Sequence, residues 1–289
     1  LDLCQFTDEA SLRWGVLSAT LSLPDGGAIP PAANSRAIRD GFGTNNAPRL
    51  GSSLVVLSTG HAADASDANP PFAAFDFGQN MATTSALPAD YMSANAGVLP
   101  NAPGCPPPTS TTANDAVMLT LRIRVPSNAR SFSLSSSFLS AEYPEYTCTQ
   151  YNDFFVILLD STYAATPPNP TDKNLAFYEP PGMVGTRYPV GVNLAAGNTG
   201  LFRQCVNGPA GCNGDVTFQH TVCEGTTELA GTGMDRSDFG CSTFGGQMVG
   251  GGTGWLVTAG NVVPGEIITL RIAIWDTSDH VLDSVALID

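Results

Sequence analysis

From Val117 to Val125 the chain alternates without a break. Val117, Leu119, Leu121, Ile123 and Val125 are apolar, and Met118, Thr120, Arg122 and Arg124 fall between them. A period of two marks a strand with one buried and one largely polar face. After a turn at Pro126-Ser-Asn128, the residues Phe132, Leu134 and Phe138 continue the pattern. The run Phe154-Phe-Val-Ile-Leu-Leu159 is apolar on both faces and reads as a central strand. Strand patterns return at Ile267, Leu270, Ile272 and Ile274 and again at Val285-Ala-Leu-Ile288. Composition agrees: 30 Gly, 22 Pro and only 13% charged residues suit turns and strands and suit long surface helices poorly.

The organisation is that of one domain over residues 1–289, an all-β, jelly-roll-like β-sandwich with long disulfide-stapled loops. Before residue 65, apolar stretches at Trp14–Leu23 and Leu50–Ser58 read as strands. Between them, Ser35 to Asp40 is expected to form one or two helical turns, capped by Ser35 and stopped by Gly41. A Pro-rich loop is expected near 66–113 and a Cys/Gly-rich insertion near 161–254. No internal repeat or heptad pattern is present.

Charge narrows the partners. There are 26 acidic residues against 12 basic ones, Lys173 is the only lysine, and the net charge is -14. Nucleic acid demands a basic footprint, so it is excluded as a partner, and an anionic membrane surface is disfavoured. An acid excess fits cation binding, or plain solubility outside a cell. No apolar run approaches the roughly 20 residues of a transmembrane helix. The opening residues Leu-Asp-Leu-Cys-Gln-Phe carry neither a basic nor an apolar signal region, which reads as a mature or processed form.

Seven cysteines (Cys4, Cys105, Cys148, Cys205, Cys212, Cys223 and Cys241) show no Cys-x-x-Cys pair. Zinc-ribbon and thioredoxin-type readings therefore fail, and disulfides made in an oxidising compartment are expected. Loop logic favours Cys205–Cys212, Cys223–Cys241 and Cys105–Cys148. Cys4, almost at the terminus, is then the odd thiol.

Two acidic groups abut strongly apolar strands. One is Glu142-Tyr-Pro-Glu145 followed by Asn152-Asp153; the other is Asp276, Asp279 and Asp283-Ser284. Crowded carboxylates repel one another unless a cation neutralises them. Hard oxygen donors at mixed spacing suit calcium, which takes about 6–8 oxygens. The expected ligands are Glu142, Glu145, Asn152, Asp153, Asp276, Asp279 and Asp283. Neither group has EF-hand spacing, and ordinary polar turns are the alternative.

Three segments carry a resemblance: Phe138-Leu-Ser-Ala-Glu-Tyr-Pro-Glu-Tyr146, Tyr151-Asn-Asp-Phe-Phe155, and Ala273-Ile-Trp-Asp-Thr-Ser-Asp-His-Val-Leu-Asp-Ser-Val-Ala-Leu287. Together they resemble the bacterial choice-of-anchor L domain, which is similar in its S-E-E-Y-P-E-Y, F-N-D-x-F and D-x-x-D-x-x-x-D-S-A-V-F elements. Ala141 stands where the family's first acid sits, and Val285-Ala286 replaces Ala-Val. The resemblance spans residues 115–160 and 255–289, with an extension back to Trp14. It implies an extracellular, surface-associated β-sandwich and strengthens the expectation of calcium. The cysteine content and GC-rich amino-acid usage imply a myxobacterial-type secreted protein.

Enzyme signatures are absent: no G-x-S-x-G, H-E-x-x-H or P-loop occurs. His61, His220 and His280 are far apart, and His280 reads as a bystander in the acidic loop. Trp255 and Trp275 are expected in the core, and Tyr143 and Tyr146 beside the acids as ligand contacts. Gly245-Gly and Gly250-Gly-Gly-Thr-Gly254 read as flexible turns. The expected function is a secreted or cell-surface structural or adhesive module. It is calcium-stabilised and self-assembles or engages a matrix or glycan partner. A calcium-dependent carbohydrate-binding module is the alternative, and a hydrolase using the acids the less favoured third.

Overall fold

The computed structural model describes residues 6–76, 79–212, 218–237 and 245–289. In chain order the strands are β1 (Gly15–Ser22), β2 (Arg36–Arg39), β3 (Leu54–Ser58), β4 (Thr84–Ala86), β5 (Thr112–Arg124), β6 (Ser131–Ser140) and β7 (Phe154–Asp160). Short pairs follow in the insertion: β8 (Phe177–Tyr178) with β9 (Tyr188–Pro189), β10 (Gly208–Ala210) with β11 (Phe218–His220), and β12 (Arg236–Ser237) with β13 (Met248–Val249). The chain ends with β14 (Gly251–Asn261), β15 (Ile267–Asp276) and β16 (Ser284–Ile288). The single α-helix among the described residues is α1, Ala89–Ala94.

Two antiparallel sheets pack face to face. One runs β1-β5-β15-β7, with β4 also paired to β5, and the other β14-β6-β16-β3-β2. Alternation decides the inner faces. Val117, Leu119, Leu121, Ile157, Ile272 and Ile274 of the first sheet meet Leu57, Leu134, Phe138, Ala286 and Ile288 of the second in one buried cluster. Fully burying such a side chain is worth about 1.5–3 kcal/mol, so this inter-sheet layer dominates stability.

Each sheet is also covered on part of its outer face. Leu87, Tyr91 and Leu99, from the loop carrying α1, bury Met118, Phe154, Val156, Leu158 and Trp275. On the other side, Phe42, Phe75, Leu229 and Met234 bury Leu54, Val56, Val285 and Leu287. Met118 is therefore buried instead of facing solvent. The same cover explains β7, which lies at the end of its sheet and is not central. Its second apolar face is buried under α1, and isolated bridges from Asn174 and Gly191 cap its free edge.

The expected helical turn at Ser35–Asp40 is not formed. Ala33–Ser35 is a short 3-10 turn, and Arg36–Arg39 is an edge strand on β3. Ser35 is buried and donates its hydroxyl to the Ala32 carbonyl at 2.7 Å, leaving it unavailable as an N-cap. Pairing with β3 outweighed a weak local propensity. The glycines at 251–254 also differ from the expected flexible turn, for they open β14. A Cβ at Gly251 would lie 2.4 Å from the Phe202 ring, and one at Gly252 would lie 2.5 Å from Leu139. Glycine is needed there for close approach.

Cys105 is joined to Cys148 across 43 residues, tying the Pro-rich loop to the segment after β6. Cys205 pairs with Cys223, so the expected Cys205–Cys212 and Cys223–Cys241 pairings are not formed. The reason is the β10–β11 hairpin. Cys205 precedes it by three residues and Cys223 follows it by three, and antiparallel pairing brings them side by side. Cys212 is also disulfide-bonded. Cys4 and Cys241 lie outside the described residues. These bonds show an oxidising compartment, and no helix among the described residues is long and apolar enough to cross a membrane.

Candidate metal centre

Antiparallel pairing places the acidic residues together. Asp276 ends β15, opposite Asn114 at the start of β5, where Asp115 follows. Asp153 immediately precedes β7, Asp283 immediately precedes β16, Thr59 follows β3, and Glu142 follows β6 by two residues. Six strands thus start or finish at one end of the sandwich, and each contributes a polar group there.

The carboxyls are deeply buried. Asp115, Asp276 and Asp283 are fully inaccessible, and Glu142 and Asp153 are 1% exposed. Asp153 Oδ2 accepts from Ser284 Oγ at 2.6 Å. Asp115 Oδ1 accepts from the Thr83 amide at 3.2 Å and lies 3.0 Å from His280 Nδ1. Asp115 Oδ2, Glu142 Oε2, Asp153 Oδ1, and both oxygens of Asp276 and of Asp283 have no hydrogen-bond partner. The Thr59 hydroxyl sits near Asp276 and Asp283 and eases their repulsion, yet no well-formed hydrogen bond reaches either carboxyl.

Electrostatics follow from burial. Desolvation, then the charge of Asp153, pushes Glu142 and Asp276 well above the usual carboxylate range. The same causes raise Asp283, and desolvation pushes Asp153 up to about 8. Among the described residues, no lysine or arginine forms an ion pair with Asp115, Glu142, Asp153, Asp276 or Asp283. Buried carboxylates without a countercharge are costly, and cations or protons must compensate them.

Not every expected ligand belongs to this group. Glu145 is held by Arg236 in a two-pronged ion pair, 3.0 Å at Oε2 and 3.2 Å at Oε1. Its fixed fork already satisfies that carboxylate. Asn152 is used in loop packing: Oδ1 accepts from the Asn193 amide at 2.9 Å, and Nδ2 donates to Asn101 at 3.3 Å. Asp279 lies at the margin, half-buried, with Oδ1 accepting from the Val281 amide; burial raises its pKa. Asp115 and Thr59 were missed by sequence reasoning. Asp115 sits inside a strand-forming run at a positive φ of 47°, and nothing local distinguishes it from a turn residue. His280, read as a bystander, touches the group through Asp115.

The aromatic expectations divide. Trp275 is fully buried and stacks on Phe154 at 5.7 Å, whereas Trp255 is only half-buried, under the Arg49 guanidinium. Tyr143 is no ligand contact. It is fully buried against Phe202 and His220, and its hydroxyl donates to the Val206 carbonyl at 2.7 Å. Tyr146 packs edge-on against Tyr151. His61 bonds Pro71 and Asn34, and His220 bonds the Phe202 carbonyl.

The donor set discriminates among metals. Among the described residues, the only three His, Cys or acidic donors within 4.8 Å of one another are Cys205, His220 and Cys223. Both cysteines are consumed in a disulfide, so no thiolate is left for zinc. The acidic group is broader and all-oxygen, which matches the flexible geometry of calcium better than the tight octahedron of magnesium.

No curated protein and no solved structure matches the chain. The family comparison is positive, with the choice-of-anchor L domain matching residues 41–289 and so every strand that builds the acidic group. On that match the chain belongs to the choice-of-anchor L domain family.

Proposed function

We propose that this chain is a secreted, calcium-stabilised structural or adhesive module of the bacterial cell surface or matrix, of a myxobacterial type. One observation carries the calcium reading: five buried carboxyls gather at one end of the sandwich, with unpartnered oxygens and, among the described residues, no lysine or arginine ion-paired to them. Asp115, Glu142, Asp153, Asp276 and Asp283 would hold the ion, with Thr59 and backbone carbonyls completing the shell. Because the oxygens are spread, the side chains draw inward on binding. Calcium there joins the ends of six strands across both sheets and acts as a clip.

Burial favours a structural role over the alternatives. A lectin ion must face solvent to meet a sugar, and a hydrolytic carboxylate pair must reach its substrate. These carboxyls do neither. The disulfides and the family membership support the extracellular assignment. Self-assembly through the exposed loops and sheet edges is part of the proposal.

Elemental analysis and thermal unfolding test the calcium reading. Bound calcium and a melting temperature lowered by EDTA are expected, because a ligand bound only to the folded state stabilises it. An unchanged melt with no calcium present ends that reading. Light scattering and electron microscopy test assembly, and a strictly monomeric, non-adherent protein removes it.

A further inference from the structure

The opposite end of the sandwich differs in every respect. Ile267 pairs with Arg124, nine residues along β15 from Asp276, which places this end roughly 30 Å from the acids at about 3.3 Å per residue. Protein interiors close up with few voids larger than a water molecule. Here the two sheets leave a cavity of 320 Å³ lined by Leu121, Ile123, Phe132, Leu134, Ile268 and Leu270. Apolar cavities of about 150 Å³ stay dry and take up small apolar molecules. Trp14 and Leu50, 41% and 69% exposed, stand at the rim. Asp289, also at the rim, is engaged: Oδ2 accepts from the amides of Arg49 and Leu50.

Trp14 and Val125 form a shared wall with a second cleft, which Arg13 and Arg124 line and which no acidic residue lines among the described residues. Arg13 is exposed and has no ion pair among the described residues. Arg124 donates to the Glu9 carbonyl at 3.0 Å, and its Nε is buried without a partner. The Glu9 carboxylate is taken by Arg122, so neither Arg13 nor Arg124 has an ion-pair partner among the described residues, in a chain with 26 acids and 12 bases. An apolar cavity beside a cationic cleft matches an amphiphile with an anionic head.

We propose that this end binds a monocarboxylic amphiphile, its aliphatic tail between the sheets and its carboxylate on Arg13 and Arg124. At roughly 30 Å³ per methylene, close to a water's share of liquid volume, the cavity holds a tail of about ten carbons. Guanidinium fits carboxylate through charge-assisted hydrogen bonds, and the volume lies within the range of small-molecule sites.

The test is calorimetric titration of the full chain with decanoate and with decan-1-ol, below their aggregation limits and without added calcium. Decanoate binds one to one and saturably. Decanol binds at least about fivefold more weakly, as loss of a charged hydrogen bond requires. Arg13→Gln weakens decanoate towards decanol and leaves decanol unchanged, while Ala129→Phe, at the cavity wall, abolishes both. Should Ala129→Phe not fold, Ser131→Phe at the exposed rim takes its place. Absent or non-saturating binding overturns the proposal, as does binding indifferent to the cavity-filling variant. Decanol binding as tightly as decanoate overturns the assignment of the carboxylate. Because the readout needs no calcium, its failure is distinct from failure of the calcium reading.

Discussion

A Cβ on Gly60 would lie 2.5 Å from the Asp283 carboxyl carbon. Gly60 follows Thr59, and its own amide bonds the Ser58 hydroxyl at 3.0 Å. The missing side chain is therefore what lets the backbone after β3 press against the acidic group.

Gly60→Ala should destabilise the protein by about 1–3 kcal/mol, the usual cost of overpacking, and should also weaken calcium. Paired melts in calcium and in EDTA check this. An equal loss in both would mean that the contact supports packing alone.

Asp276→Asn and Asp283→Asn should have opposite effects with and without the ion. In EDTA, at a pH high enough to ionise these carboxyls, each removes an uncompensated buried charge and raises the melting temperature. In saturating calcium each removes a ligand and lowers it. At a free concentration of about 100 times Kd, bound calcium contributes about 2.7 kcal/mol, so the reversal is readily measured. A single direction in both buffers contradicts the ligand assignment.

Stability against pH should depend on calcium. Asp153, Glu142, Asp276 and Asp283 all have folded pKa values raised by burial. In the metal-free protein the folded state therefore binds more protons than the unfolded one. That stability is complete below the unfolded value of about 4 and is lost as pH rises through the folded values, towards about 8 for Asp153. Asp90 behaves oppositely. Arg271 and Lys173 hold its pKa below the usual range, so its contribution is present above about pH 4 and lost in stronger acid. Denaturant titrations across pH 4–8 in EDTA should show stability falling with pH, and calcium should flatten or reverse the slope.

The two resolved bridges should separate. Cys105→Ser with Cys148→Ser opens a 43-residue loop, worth about 4 kcal/mol in the chain-entropy account. It also loosens the segment after Glu142, so calcium affinity falls as well. Cys205→Ser with Cys223→Ser opens 18 residues, worth about 3 kcal/mol, and should leave calcium affinity unchanged. Calorimetric calcium titration of both double variants distinguishes them.

Val117–Val125 shows how far local pattern reaches. Its alternation located β5 and named the inner face correctly, because a strand's side-chain period is a property of the backbone itself. The same pattern placed Met118 in solvent, and α1 covers it. Nothing near Met118 in sequence records that a loop from residues 87–99 will fold back over it. The helical turn expected at Ser35–Asp40 failed for a related reason, since the strand Arg36–Arg39 exists only by pairing with β3.

The acidic group divides along the same line. Sequence alone determined that this is a β-rich, disulfide-forming chain with more carboxylates than it can neutralise, and it named Glu142, Asp153, Asp276 and Asp283. Only tertiary structure decided that these four converge and that Asp115 and Thr59 join them. It also decided that Arg236 takes Glu145 and Asn193 takes Asn152. Alternation and composition are local and survive in the unfolded chain. Convergence depends on strand order and register, which bring residues 59, 115, 142, 153, 276 and 283 to one end of the sandwich.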